Sequence, residues 1–192
     1  MISVLGLGNV LMSDDGLGPV AVRAFEAEYV VPADVQVVDL GTPGLDLLPW
    51  LADIDRVIIV DTVKSDRPPG SVRLYEKADL LRYPPAARVG PHDPGVKEAL
   101  QALEFAGRAP RELTLIGVVP ASTAIGIELT PPVRAAVATV LVAIEVTLAR
   151  FRRPVVHRTE RHRMPSALPC DQPWAVLPLD QPDRPSGGHS RT

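Results

Sequence analysis

Asp14 and Asp15 stand side by side in Leu5-Gly6-Leu7-Gly8-Asn9-Val10-Leu11-Met12-Ser13-Asp14-Asp15-Gly16-Leu17-Gly18, a stretch that leads from an apolar segment through small residues towards a helix. Gly6 and Gly8 permit backbone angles closed to other residues and the close approach of a ligand. That first suggests a phosphate cradle, but the charge is wrong, because two carboxylates at the loop's exit suit a cation and oppose an anion. A dinucleotide fingerprint needs a third glycine where Leu11 stands, and a Walker loop needs Gly-Lys-Ser/Thr near the place of Asp14-Asp15-Gly16. One aspartate would serve as a cap on the following helix, whose N-terminus carries partial positive charge. Two are more than one cap needs, which leaves the second for other chemistry.

Two further residues join them. Asp61 follows the four β-branched residues Val57-Ile58-Ile59-Val60, and His92 lies in the loop Val89-Gly90-Pro91-His92-Asp93-Pro94-Gly95. Each alone has an ordinary structural explanation: a helix cap or solvated loop residue for Asp61, a loop histidine without a role for His92. Asp15, Asp61 and His92 together offer two carboxylates and one imidazole, a mixed donor set for a divalent ion that leaves coordination positions open. Nucleophilic catalysis has less support, since Ser13, Ser65 and Ser122 have no evident histidine partner and Cys170 lies in the C-terminal tail.

The elements that must position these residues alternate between strand and helix. Apolar runs predict strands at Ile2–Leu7, Val35–Leu40, Arg56–Val60, Ser71–Tyr75 and Leu113–Val119. Helical spacing appears from Leu17 to Phe25, from Gly44 to Leu51 and from Asp93 to Phe105. It is clearest from Thr130 to Arg150, with Thr130 as N-cap and Pro131 in the first turn. The order predicts an α/β fold of three layers, a mostly parallel twisted sheet with helices on both faces. Ligands in such sheets bind beyond the carboxyl ends of the strands. Asp14 and Asp15 after the first strand, Asp39 at the end of the second and Asp61 at the end of the third would then share one edge, to which the later loop would bring His92.

Composition sets the outer bounds. The chain has 192 residues, 46% of them hydrophobic and 22% charged, enough for one domain with its own core. The single cysteine allows no internal disulfide, no apolar run reads as a membrane span, and no signal-type segment opens the chain, so a cytoplasmic location is expected. From Arg152 onward there are seven basic and four acidic residues. The body therefore holds 13 of the 20 basic and 19 of the 23 acidic side chains, a net charge of −6, which argues against a dedicated nucleic-acid binder. The segment 152–192 also carries seven of the 21 prolines and no helical or strand period, and is expected to be a disordered extension of a domain spanning 1–151.

With these residues in view, the chain resembles the hydrogenase maturation proteases of the [NiFe] enzymes over about residues 2–150. Five blocks carry the resemblance in order: the opening Leu5 to Gly16, Asp39-Leu40-Gly41-Thr42-Pro43-Gly44, Val57-Ile58-Ile59-Val60-Asp61, Pro91-His92, and Leu113-Thr114-Leu115-Ile116-Gly117-Val118. The resemblance implies an endopeptidase that removes a short C-terminal peptide from the large-subunit precursor of a [NiFe]-hydrogenase once nickel has been inserted. It maps the family's metal-recognising and catalytic positions onto Asp15, Asp61 and His92, with Asp15 one methylene shorter than the glutamate of many members. Nickel would arrive with the substrate, and the same donors would also accept zinc or cadmium. The implied partner is the precursor, with no nucleic acid, no membrane and a monomeric enzyme expected. Two other readings are a peptidyl-tRNA hydrolase, which also opens on Gly-Leu-Gly-Asn but continues with Pro where Val10 stands, and a non-catalytic α/β binding module.

Overall fold

The computed structural model describes residues 1–82 and 95–158, so His92 and the tail beyond Arg158 lie outside the described residues. In chain order the elements are β1 (Ile2–Leu7), α1 (Leu17–Glu28), β2 (Tyr29–Val30), β3 (Val35–Gly41), α2 (Leu48–Leu51), β4 (Arg56–Thr62), β5 (Val72–Glu76), α3 (Lys77–Arg82), α4 (Val96–Phe105), β6 (Glu112–Val118), α5 (Pro131–Arg150) and β7 (Val156–His157). Short 3-10 turns at Ser13–Gly16 and Gly44–Leu47 lead into α1 and α2.

Five strands form one sheet in the order β3-β1-β4-β6-β5. The first four are parallel, and β5 runs antiparallel to β6 at the edge. Strand alternation sorts the core into two layers. Val4, Ile58, Val60, Ile116 and Val118 pack with α1 and α5, while Leu5, Leu7, Val57, Ile59, Leu113 and Leu115 pack with Leu80, Leu100 and Leu103 on the other face. The chain leaves β1 towards β3 on one side and returns to β4 on the other. The carboxyl ends of β1 and β4 therefore flank the point where strand order reverses, which is where open α/β sheets bind ligands.

Gly6 and Gly18 let α1 lie directly on the sheet at that point. A Cβ on Gly18 would stand 2.1 Å from the Leu7 carbonyl oxygen and 2.6 Å from that of Val60, and a Cβ on Gly6 would stand 2.5 Å from the Gly18 carbonyl oxygen. Backbone atoms cannot step aside as a flexible side chain can. Gly18→Ala is accordingly expected to destabilise the fold by about 3 kcal/mol, the upper end for overpacking. A chemical-denaturation midpoint equal to that of the parent would contradict this.

Several boundaries differ from the sequence reading. α4 opens at Val96 with Gly95 as its N-cap, later than Asp93. Residues up to Arg158 do not leave the body at Phe151. Val156–His157 pairs antiparallel with Tyr29–Val30, Val155 is buried, and Arg153 Nε donates to Asp34 Oδ2 at 2.5 Å. That hydrogen bond holds the Asp34 carboxyl below its usual range. Such a two-residue strand carries too little pattern to read in advance. α5, at 20 residues and a mean hydropathy of 1.7, does meet the length and composition of a membrane span, contrary to the expectation that no run would. Its apolar surface is used within the fold, where Val133, Val140, Leu141, Ile144 and Leu148 are buried in the core.

Candidate active site at the ends of β1 and β4

The two adjacent aspartates have separate partners, and neither caps α1. The N-cap of α1 is Gly16, with no side-chain hydrogen bond to the helix. Asp14 is fully buried. Its Oδ2 accepts the backbone N–H of Ala121 (2.8 Å), that of Ser122 (2.9 Å) and the Thr130 hydroxyl (2.9 Å), and its Oδ1 accepts the Thr130 N–H (2.6 Å). Thr130 occupies the N-cap position of α5 as expected, but its hydroxyl serves Asp14 and not the helix. The carboxylate thus sits at the start of a helix 116 residues away, where the positive end of the helix dipole favours it. It clasps the whole connection between β6 and α5 against the turn after β1.

Asp15 is half-buried and faces the strand ends. Its Oδ2 accepts the Asn9 N–H at 2.8 Å, and its Oδ1 lies 3.3 Å from the Thr62 hydroxyl. The turn that presents it is tight. Gly8 has φ 141°, a conformation that favours glycine, and its N–H donates to the Gly41 carbonyl at 2.7 Å. Ser13, a non-glycine residue at φ 48°, is held by two contacts: its N–H donates to the Gly126 carbonyl (2.7 Å) and its hydroxyl to that of Ala124 (3.0 Å).

Asp61 is buried near the end of β4, with its Oδ1 accepting the Thr62 N–H at 2.5 Å. Thr62 is therefore the joint between the two candidate carboxylates, offering its N–H to Asp61 and its hydroxyl to Asp15. Alternation along β4 places Asp61 on the face of Ile59 and α4, and Thr62 on the face of Val60 and α1. The sequence reading missed Thr62. The available signal was its place directly after Asp61 at the end of a strand due to meet the turn after β1.

Asp39 falls inside β3, two residues before its end. It is engaged elsewhere, with Oδ2 on Arg23 (2.6 Å) and Oδ1 accepting the Gly41 N–H (3.0 Å). Among the described residues no three His, Cys, Asp or Glu side chains group closely enough to hold a metal ion. The predicted third donor, His92, lies outside the described residues. The structure thus brings Asp15 and Asp61 to either side of one residue and leaves Asp14 and Asp39 with structural partners.

Comparison with known proteins gives this arrangement its context. The family model of HycI, hydrogenase maturation protease, matches residues 19–146. The Hydrogenase 2 maturation protease of Escherichia coli is 37% identical over 164 residues, covering 83% of this chain and 96% of that protein. The hydrogenase expression/formation protein HupD of Bradyrhizobium diazoefficiens is 39% identical over 134 residues, covering 69% of this chain and 70% of that protein. Among solved structures, the hydrogenase maturating endopeptidase HybD from E. coli superposes with a TM-score of 0.75 at 34% identity, covering 83% of this chain and 98% of that one. The [NiFe] hydrogenase maturation protease HybD from Thermococcus kodakarensis gives 0.58 at 28% identity, covering 76% and 97%. The opening shared with peptidyl-tRNA hydrolases is thereby outweighed, and the chain belongs to the hydrogenase maturation protease family.

Proposed function

We propose that this endopeptidase removes the C-terminal extension of a [NiFe]-hydrogenase large-subunit precursor after nickel insertion, and that Asp15, Asp61 and His92 recognise the nickel the precursor carries. The observation that supports this reading best is the pairing of Asp15 and Asp61 about Thr62 at the reversal point of the sheet. One of these carboxylates is half-buried and the other buried, at the place where such sheets bind ligands.

The ion belongs to the substrate. Oxygen and imidazole donors suit Ni²⁺, and a set of three leaves positions for the ligands that the precursor already supplies. Recognition is then a test of maturity, since a precursor without nickel offers the carboxylates nothing to bind. Nickel held near the scissile bond would polarise its carbonyl or activate a water. Asp15 or Asp61 would alternatively act as the base on that water. The Asn9 N–H and the Thr62 hydroxyl fix the orientation of Asp15 before the substrate arrives.

The test is incubation of the protein with purified large-subunit precursor, with and without nickel, read by the mass of the product. Loss of one C-terminal peptide in the loaded sample alone is the expected result. Equal cleavage of both samples would overturn the nickel requirement, and cleavage of neither would overturn the assignment of substrate.

A further inference from the structure

The turn before Asp15 and the connection between β6 and α5 form one rigid piece with an uncovered apolar top. Met12 and Gly126 make a parallel bridge. The Gly126 N–H donates to the Leu11 carbonyl (3.0 Å), and the Gly126 carbonyl accepts the Ser13 N–H (2.7 Å). The bridge and these hydrogen bonds bring Leu11, Ile125 and Ile127 onto two adjoining segments of backbone. These three residues are 60%, 93% and 81% exposed. Below them, Asp14 clasps Ala121, Ser122 and Thr130, so the backbone carrying these side chains is fixed. A Cβ on Gly126 would stand 2.6 Å from Ser13 Oγ, which shows how closely the two segments fit.

We infer that Leu11, Ile125 and Ile127 form a platform that seats an apolar stretch of the polypeptide substrate beside the Asp15–Asp61 site. The inference rests on the endopeptidase reading above. Two observations select this occupant. First, the platform is continuous with the site, because Leu11 runs through Met12–Asp14 directly into Asp15. A peptidase that places a scissile bond at Asp15 and Asp61 must hold chain on the neighbouring surface. Second, residues 8–18 and 119–129 contain no Lys or Arg, and the one exposed acid of the second segment, Glu128, is paired with Arg134 at 3.1 Å. An anionic lipid surface therefore has no basic cluster to hold here, whereas an apolar protein segment needs none. Large exposed aliphatic residues gathered on fixed backbone mark an interaction surface more often than an accident of folding.

The test compares the full chain with Ile125→Ser/Ile127→Ser and with Ile125→Leu/Ile127→Leu. Both positions are exposed, so the fold is expected to persist, and the thermal midpoint checks it. Steady-state cleavage of nickel-loaded precursor is expected to show KM raised about tenfold by the serine pair with kcat little changed, the signature of lost uniform binding. The leucine pair is expected to keep the parent KM. An unchanged KM in the serine pair would overturn the platform while leaving the protease reading intact. Equilibrium binding of the precursor to the same proteins, read by biolayer interferometry, separates the two claims if no cleavage is seen. Weaker binding by the serine pair supports the platform, and equal binding overturns it. Sedimentation that shows a parent dimer dissociated by the serine pair would assign this face to a second copy of the chain and also overturn it.

Discussion

Asp14→Ala is expected to destabilise the protein by about 3–5 kcal/mol, the range for removing one partner of a buried charged network. The number follows from what is left behind. The N–H groups of Ala121, Ser122 and Thr130 and the hydroxyl of Thr130 would all lose their acceptor in a place from which Asp14 itself is wholly hidden from solvent. Because typical folding stabilities are only about 5–15 kcal/mol, this one change should remove a large share of the protein's stability. Asp14→Asn should be intermediate. Its amide oxygen can take the place of Oδ2, which has three donors, but its NH₂ group would then face the Thr130 N–H. Thermal and denaturant unfolding of the three proteins check the order Asp, Asn, Ala. Stability of Asp14→Ala within about 1 kcal/mol of the parent, the scale of an ordinary exposed hydrogen bond, would contradict the assignment of Asp14 as the clasp.

The neighbouring residue should behave in the opposite way. Asp15→Ala and Asp61→Ala are each expected to lower processing of nickel-loaded precursor on the order of 10³-fold or more, the scale on which a positioned acid–base or metal-binding group acts. His92→Ala is expected to do the same. Asp15 is half-buried and accepts the Asn9 N–H and the Thr62 hydroxyl, so its loss should cost about 1–3 kcal/mol of stability, less than that of Asp14. Asp61 is buried, and Asp61→Asn is the fairer control there, because it keeps the volume and an acceptor for the Thr62 N–H. Full processing by any one of the alanine variants, assayed at a temperature where it is folded, would remove that residue from the site. The two adjacent aspartates would then be told apart by measurement, one through stability and the other through turnover.

The strands were the most legible part of the fold. Val57-Ile58-Ile59-Val60 and Leu113-Thr114-Leu115-Ile116 are apolar over their length because helices cover both faces of a parallel sheet, and that pattern survives without any knowledge of partners. The antiparallel pairing of β5 with β6 and the small β2–β7 ladder were not legible. The first depends on which edge the chain joins, and the second on two residues that meet across more than 120 positions. At the site, the pair Asp14-Asp15 was visible as an excess of acid at a helix start, but the division of labour was not. The partners of Asp14 come from residues 121–130, and no local rule for helix caps anticipates a cap lent to a distant helix. Asp39 looked free for the site because only apolar spacing was read from Leu17 to Phe25, whereas Arg23, two residues before the end of that stripe, takes it up.

In the proposed function Asp15 and Asp61 bind the nickel carried by the substrate. The most direct measurement is the affinity of the protein for a precursor whose scissile bond has been made uncleavable, compared with and without nickel, for the parent chain and for Asp15→Ala. The parent should bind the loaded form at least about tenfold more tightly, a difference of about 1.4 kcal/mol, and Asp15→Ala should bind both forms alike. Equal affinity of the parent for the two forms, or a nickel preference undiminished in Asp15→Ala, would contradict nickel recognition by these carboxylates.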